Sequence, residues 1–441
     1  MRVPLTRIDS TATLPASADV VVIGAGIVGV FTAWFLARRG LKVAVLEKGL
    51  VGAEQSSRNW GWCRQQNRDA RELPLATRSL DLWERFEAES SESTGFSRTG
   101  LLYLSNNDAE LSTWTRWCDF ARSAGVRTEV LGSREATRRG RMTTRSWKGG
   151  VFAPTDGTAD PGIAAPAVAR AVLALGSTVH QHCAARGIET AGGRVCGVLT
   201  EQGVIRSSTV VMSGGAWASA FCHQLGIRFP QATIRSSIAS VALRRGVLPD
   251  ALHTRDVTIT RRGEDTYTLA ISGLGRFDPS PQKLRYASDF LPMFARRWRS
   301  MRLGNFDALR AGHESLRRWS PDRPTPMETT RVLDPRVDEA AIELMRRRAI
   351  ELCPALAQAS VGASWAGYID MTPDGVPAIC ESVQLPGLLL AAGFSGHGFG
   401  IGPGAGHLVA DLITGAAPIV DPRPYDLRRF EKSAAGRVAE F

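Results

Sequence analysis

The stretch VVVIGAGIVGVFTAWFLARRGLKVAVLE, residues 20–47, decides the fold of this chain. Val20 to Ile23 is a β-branched run of buried-strand type that feeds directly into Gly24, Gly26 and Gly29 at GxGxxG spacing. Gly24 permits the tight strand-to-helix turn, Gly26 lets the backbone approach a pyrophosphate, and Gly29 lets the helix pack close to the sheet. The helix, predicted over Ile27 to Arg39 and stopped at Gly40, presents its N-terminal N–H groups, those of Ile27 and Val28 first, to the phosphates. A second strand, Lys42 to Leu46, closes on Glu47, where an acidic side chain accepts hydrogen bonds from a ribose and repels a 2′-phosphate; Lys48 is the next candidate contact. The unit reads as a dinucleotide site. FAD and NAD share it, so the rest of the chain must choose.

Working outward, 441 residues with 44% hydrophobic and 22% charged content predict a soluble protein of two domains. No apolar run approaches a spanning helix, and Met1 to Asp19 lacks the apolar core of a secretory signal, so the expected location is the cytoplasm, with peripheral contact at the inner membrane face as the alternative. The seven cysteines form an odd set without a CxxC pair, and the histidines lack ligand spacing; no disulfide framework and no metal site is expected. Net charge is +11, but the basic residues are mostly arginines scattered along the chain. No basic segment interleaves with aromatics, so a nucleic-acid partner is not expected.

Four further blocks bear on the choice of nucleotide. They are VVMSGGAWAS (Val210 to Ser219), WAGYIDMTPDGVPAI (Trp365 to Ile379), LLLAAGFSGHGFGIGPGAGHLVADLITG (Leu388 to Gly415), and SSRNWGWCRQQ followed by RELPLATRSLDLW (Ser56 to Trp83). The third reads as a buried strand, Leu388 to Ala392, a glycine-rich loop, and a helix from about Ile401 to Thr414. Taken together the chain resembles the D-amino acid oxidase and glycine oxidase superfamily of flavoproteins over nearly its whole length. The Ser56 to Trp83 block is similar to the sarcosine oxidase branch. The resemblance implies noncovalent FAD, because no cysteine stands near Tyr368 where that branch attaches its flavin.

The fold class that follows is α/β: a Rossmann-type FAD-binding domain, discontinuous over 18–90, 150–225 and 362–441, with an α+β substrate domain over 91–149 and 226–361 built on a mixed, largely antiparallel sheet. Strands are predicted within Thr99 to Ser105 and Val257 to Ser272, and helices over Ala109 to Ala124 and Asp338 to Leu352. The candidate FAD contacts are Gly24, Gly26, Ile27, Val28, Gly29, Glu47 and Lys48; Ser56, Ser57, Arg58, Gly61 and Trp62; Gly214, Gly215 and Trp217; and Gly396, His397, Gly398, Phe399, Gly400 and Ile401. Helix-end N–H groups in the last set would stabilise charge on the reduced pyrimidine edge.

The resemblance implies oxidation at a carbon bearing an amine, with hydride passing to flavin N5 and the imine hydrolysing to a 2-oxo acid. The expected substrate is a carboxylate-bearing, D-amino acid-like amine; N-alkylated or secondary amino acids, opine-like compounds and simple amines are alternatives. Electrons pass on to oxygen or a quinone-type acceptor. Glycine oxidases anchor the substrate carboxylate with an arginine in WAGLRP, but Ile369 stands there, which argues against very small substrates. Arg64 is the candidate replacement. His397 and Tyr368 are candidate contacts of the ring or substrate, and Arg276 stands where the sarcosine oxidase branch carries an oxygen-activating lysine. Asp370 either attracts a second cationic group or caps a turn. The rival classes are an RNA-modifying flavoprotein and a flavoprotein that needs a partner to pass electrons.

Overall fold

The computed structural model describes residues 3–244, 248–298 and 301–431. Strand Val20–Ile23, helix Ile27–Arg38 and strand Val43–Leu46 follow one another at the N-terminus. The two strands pair in parallel, Val22 opposite Val45, and Val20–Ile23 pairs on its other side with Val210–Met212. The resulting six-stranded sheet runs in the order Ala378–Glu381, Leu388–Ala392, Val210–Met212, Val20–Ile23, Val43–Leu46, Thr178–His180. All its pairings are parallel except that of the edge strand Ala378–Glu381. Both faces are covered, which is why these strands are apolar runs rather than alternating patterns.

On one face, helix Ile27–Arg38 packs against Leu73–Ser90, Ala164–Ala174 and the C-terminal helix Gly398–Thr414. The aromatic rings of Phe31, Trp34, Trp83 and Phe86 meet edge to face in that layer. A Cβ on Gly406 would lie 2.6 Å from the Thr32 amide nitrogen, so the two helices approach this closely only with glycine there. That contact explains why a glycine-rich segment is helical. The C-terminal helix starts at Gly398, with His397 as its N-cap, three residues before the predicted start at Ile401. On the sheet's other face lies the antiparallel trio Ala185–Ala191, Arg194–Thr200 and Gly203–Arg206.

A second, ten-stranded sheet is built around the long antiparallel pair Ala232–Ala242 and Ser360–Met371, with Arg235 opposite Tyr368. Its outer face carries helix Glu339–Leu352 through Ile342, Met345, Ala349 and Leu352. The expected strand of 257–272 is a hairpin, Thr258–Arg261 with Thr266–Ala270. Two segments read as part of the nucleotide half belong to this sheet instead: Gly149–Ala153 pairs with Leu101–Ser105, and Ser360–Met371 is bound along its length to Ala232–Ala242. The chain therefore crosses between the two sheets near residues 153 and 371. No helix among the described residues is long and apolar enough to cross a membrane.

Candidate active site

One connected cavity of about 880 Å³ runs from the glycine turn to the underside of the large sheet. Gly24 sits at φ +103°, and a Cβ there would lie 2.5 Å from the Ser213 carbonyl oxygen, so the turn between adjacent strands admits no side chain. The Glu47 carboxylate is oriented by two backbone donors, Ala25 N–H at 3.0 Å to Oε2 and Gly49 N–H at 2.8 Å to Oε1, and it borders the cavity. Lys48 also borders it, but its ammonium is held by Glu54 at 2.5 Å and by the carbonyls of Thr330 and Arg331, above the Trp217 ring. The Ile27 amide donates to Ser56 Oγ at 2.8 Å, so Ser56 closes the first turn of the helix.

The expected contacts divide on the cavity wall. Gly24, Gly26, Ile27, Val28, Glu47, Lys48, Ser56, Arg58, Trp62, Gly214, Gly215, Trp217, Gly396, His397, Gly398 and Phe399 line it, with Arg64 and Tyr368. Gly29, Ser57, Gly61, Gly400 and Ile401 lie behind it. The Ser57 hydroxyl turns back to the Glu54 carbonyl, the Gly61 carbonyl accepts from the Ala159 amide, and the Gly400 carbonyl accepts from Trp83 Nε1 at 3.0 Å. Gly29 packs on the Gly24 carbonyl and Ile401 is fully buried in the core.

Arg276 stands outside this cavity. Strand alternation turns its neighbours Gly275 and Phe277 toward the cavity and Arg276 away from it, where it forms a two-point pair with Asp338 at 2.5 and 2.9 Å. Tyr368 lines the cavity with its hydroxyl already donated to buried Asp278 at 3.2 Å. Asp370 accepts from Gly393 N–H at 3.0 Å and Gln231 Nε2 at 3.1 Å, tying the long strand to the turn that opens the glycine-rich loop. Burial raises its pKa to about 6.

Arg64 stands half-buried over the Trp62 ring, with NH1 directed to the Gln66 carbonyl and the Tyr103 hydroxyl. Beside it is a residue the sequence reading missed. Arg68 is 2% exposed, lines the same cavity, and its NH1 has no hydrogen-bond partner among the described residues. Burial first, and then the neighbouring Arg64, push its pKa down to about 9. Neither arginine has a carboxylate at ion-pair distance among the described residues. Glu72, buried at the head of helix Leu73–Ser90, was missed as well; its Oε2 lies 2.8 Å from His397 Nδ1. The same cavity is also lined by apolar side chains, among them Ile234, Ile238, Leu274, Phe290 and Met293.

The indole N–H groups of Trp62 and Trp217, two residues of the cavity wall, are buried without a partner among the described residues. Buried donors of this kind are normally satisfied. Both residues line the same cavity as the nucleotide turn and the glycine-rich loop. With the pinned Glu47 and the Gly24 turn, they fit an FAD laid along this groove. No cysteine lines it.

A family model described as FAD dependent oxidoreductase matches residues 19–412. Among curated proteins, the chain is 28% identical over 432 residues to the human mitochondrial sarcosine dehydrogenase, covering 95% of this chain and 42% of that one. The chain thus spans less than half the length of that relative. It is 27% identical over 424 residues to a glycine oxidase of Pseudomonas putida, covering 93% and 98% of the two chains. Among solved structures, the L-amino acid deaminase of Proteus myxofaciens in complex with anthranilate superposes with a TM-score of 0.92 at 26% identity, covering 98% of this chain and 97% of that one.

Proposed function

The chain belongs to the FAD-dependent oxidoreductase family, and from that premise we propose that it oxidises the C–N bond of an amino acid with a large apolar side chain, giving an imine that hydrolyses to a 2-oxo acid. The observation that carries this reading is the pair Arg64 and Arg68, two guanidinium groups in one cavity with no carboxylate at ion-pair distance among the described residues. Unpaired buried cations are costly, and a carboxylate-bearing ligand supplies the missing partner. The apolar residues that line the same cavity suit a large side chain, in keeping with Ile369 in place of a small-substrate anchor. Bound FAD supplies the two-electron chemistry. The protein's share is to hold the carboxylate, seat the side chain and exclude water.

The D-series expected from sequence is joined here by the L-series, because the fold neighbour at TM-score 0.92 is an L-amino acid deaminase. N-alkylated amino acids stay in the tested set, since a sarcosine dehydrogenase is among the relatives. The FAD is held noncovalently on this reading, and the acceptor is oxygen or a quinone. Contact with an anionic bilayer is supported by Leu284, Leu291, Phe294, Leu303 and Phe306, each at least half exposed, interspersed with exposed Arg285, Arg302 and Arg310. The function is tested by incubating the FAD-loaded protein with D- and L-amino acids, sarcosine and amines, and assaying 2-oxo acid and ammonia. Release of both from phenylalanine or leucine of either hand supports the reading; release from none of the large amino acids refutes it.

A further inference from the structure

An amino acid arrives at neutral pH as an ammonium, and its nitrogen lone pair must be freed before the C–N bond can be oxidised. The proton needs an acceptor. Most titratable groups on the described cavity wall are committed: Lys48 pairs with Glu54, Lys283 with buried Glu314 at 3.0 Å, the Tyr368 hydroxyl with Asp278, and Asp370 with Gly393 and Gln231. Glu47 is held by two amides at the nucleotide end. His397 remains. It stands at the head of helix Gly398–Thr414, and its imidazole borders the cavity.

Glu72 comes to His397 from 325 positions away, through the packing of Leu73–Ser90 on the C-terminal helix. Its side chain is 1% exposed, and Oε1 has no hydrogen-bond partner among the described residues, so its interaction with His397 is its principal polar commitment. The Glu72 carboxyl oxygen at 2.8 Å is placed to accept the Nδ1–H of a neutral imidazole. That fixes the tautomer and leaves Nε2 as a lone-pair acceptor.

Resting on the reading above, we propose that His397 Nε2 takes the proton of the substrate ammonium, that Glu72 positions it, and that docking of the substrate carboxylate on Arg64 and Arg68 switches the base on. In the step, one N–H bond of the ammonium breaks, its electron pair stays on the amine nitrogen, and the proton forms a new bond to Nε2. No electrons change hands.

The switch follows from the charges that face His397. Burial and the nearby Arg68 push its pKa down to about 4, opposed by Glu72, with Arg64 adding to the depression. Asp69 faces it from the same loop, and Tyr425 of the C-terminal segment faces Glu72. A carboxylate seated between the two guanidinium groups cancels the repulsive cations and leaves Glu72 to favour the imidazolium. The base is weak in the empty site and stronger in the complex.

The test uses FAD-loaded protein with ¹³C-labelled histidine, in which the His397 ring signal is identified by its loss in His397→Asn. Its pH midpoint is read with and without saturating benzoate, a carboxylate without an amine. The expected result is an upward shift of about one pH unit or more in wild type and a smaller one in Glu72→Gln. In anaerobic mixing with phenylalanine, His397→Asn should reduce its flavin about 100-fold more slowly at neutral pH, and recover as the pH rises through the substrate's own ammonium pKa. Benzoate that perturbs the flavin spectrum while the His397 midpoint stays fixed overturns the proposal alone, as does a wild-type neutral rate in His397→Asn. Benzoate that moves neither the flavin spectrum nor any histidine overturns the carboxylate reading and the proposal with it.

Discussion

Replacing Arg68 by methionine keeps the length of the side chain and removes its charge. At 2% exposure, Arg68 keeps one hydrogen bond, Nε to the Arg64 carbonyl at 3.3 Å, while NH1 is bare and a second cation stands nearby. A pKa carried from 12.5 down to about 9 corresponds to a penalty on the charged form on the order of 5 kcal/mol before the surroundings relax. Relaxation takes back part of this, and exchanging buried charge for apolar packing commonly stabilises by about 1–4 kcal/mol. The FAD-loaded Arg68→Met protein should therefore melt no lower than wild type. A charge-assisted hydrogen bond contributes about 1.5–3 kcal/mol, so the same variant should bind benzoate about 10- to 150-fold more weakly, read by perturbation of the flavin spectrum. This opposition of stability and binding is what separates a ligand anchor from a scaffold residue. A variant that melts several degrees lower and binds benzoate as wild type does would refute the reasoning and return Arg68 to a structural role.

Three shorter predictions accompany it. His253, half-buried among Trp62, Tyr103 and Trp114, has its pKa pushed from 6.5 down to about 3 by desolvation and Arg64. The unfolded chain takes up that proton first, so His253 costs the fold about 2 kcal/mol at pH 5 relative to neutral pH; His253→Gln should flatten the stability loss between pH 6.5 and 4, and an unchanged slope would contradict this. Gly26→Val should lower FAD retention by pressing on Ser56 Oγ, 3.2 Å from the added Cβ, while acid precipitation of wild type should leave a colourless pellet; full FAD in the variant or a yellow pellet would count against the groove assignment or the noncovalent link. Co-sedimentation with anionic vesicles should fall with added salt and in Phe294→Ser/Leu303→Ser; no binding at low salt would remove the membrane contact.

What could be read from the chain and what could not differ in range. The turn from Ile23 to Gly29 and the arrival of Glu47 are local events, governed by steric demands on a few consecutive residues, and they stand where the spacing put them. The Leu388–Ala392 strand was legible for the same reason. The direction of Arg276 was not legible because it depends on strand parity: one residue decides between the cavity and Asp338, and parity is set by pairing with Arg235, far away in sequence. The early start of the C-terminal helix was hidden because glycine propensity argues for a loop, while a Cβ on Gly400 would lie 2.7 Å from the Trp62 carbonyl oxygen, so this first turn is helical with glycine there. Glu72 reads as an ordinary acidic residue at a helix start. Its meaning appears only when His397 is beside it.

The account stands most directly on one anaerobic measurement: the fall of flavin absorbance when the FAD-loaded protein is mixed in turn with D- and L-phenylalanine, glycine, sarcosine and phenethylamine. The arginine pair and the apolar wall predict that one phenylalanine enantiomer bleaches the flavin fastest, with glycine, sarcosine and the carboxylate-free amine far behind. If glycine or sarcosine is fastest, the side-chain argument is wrong; if phenethylamine alone bleaches it, the carboxylate anchor at Arg64 and Arg68 is wrong and the central claim fails.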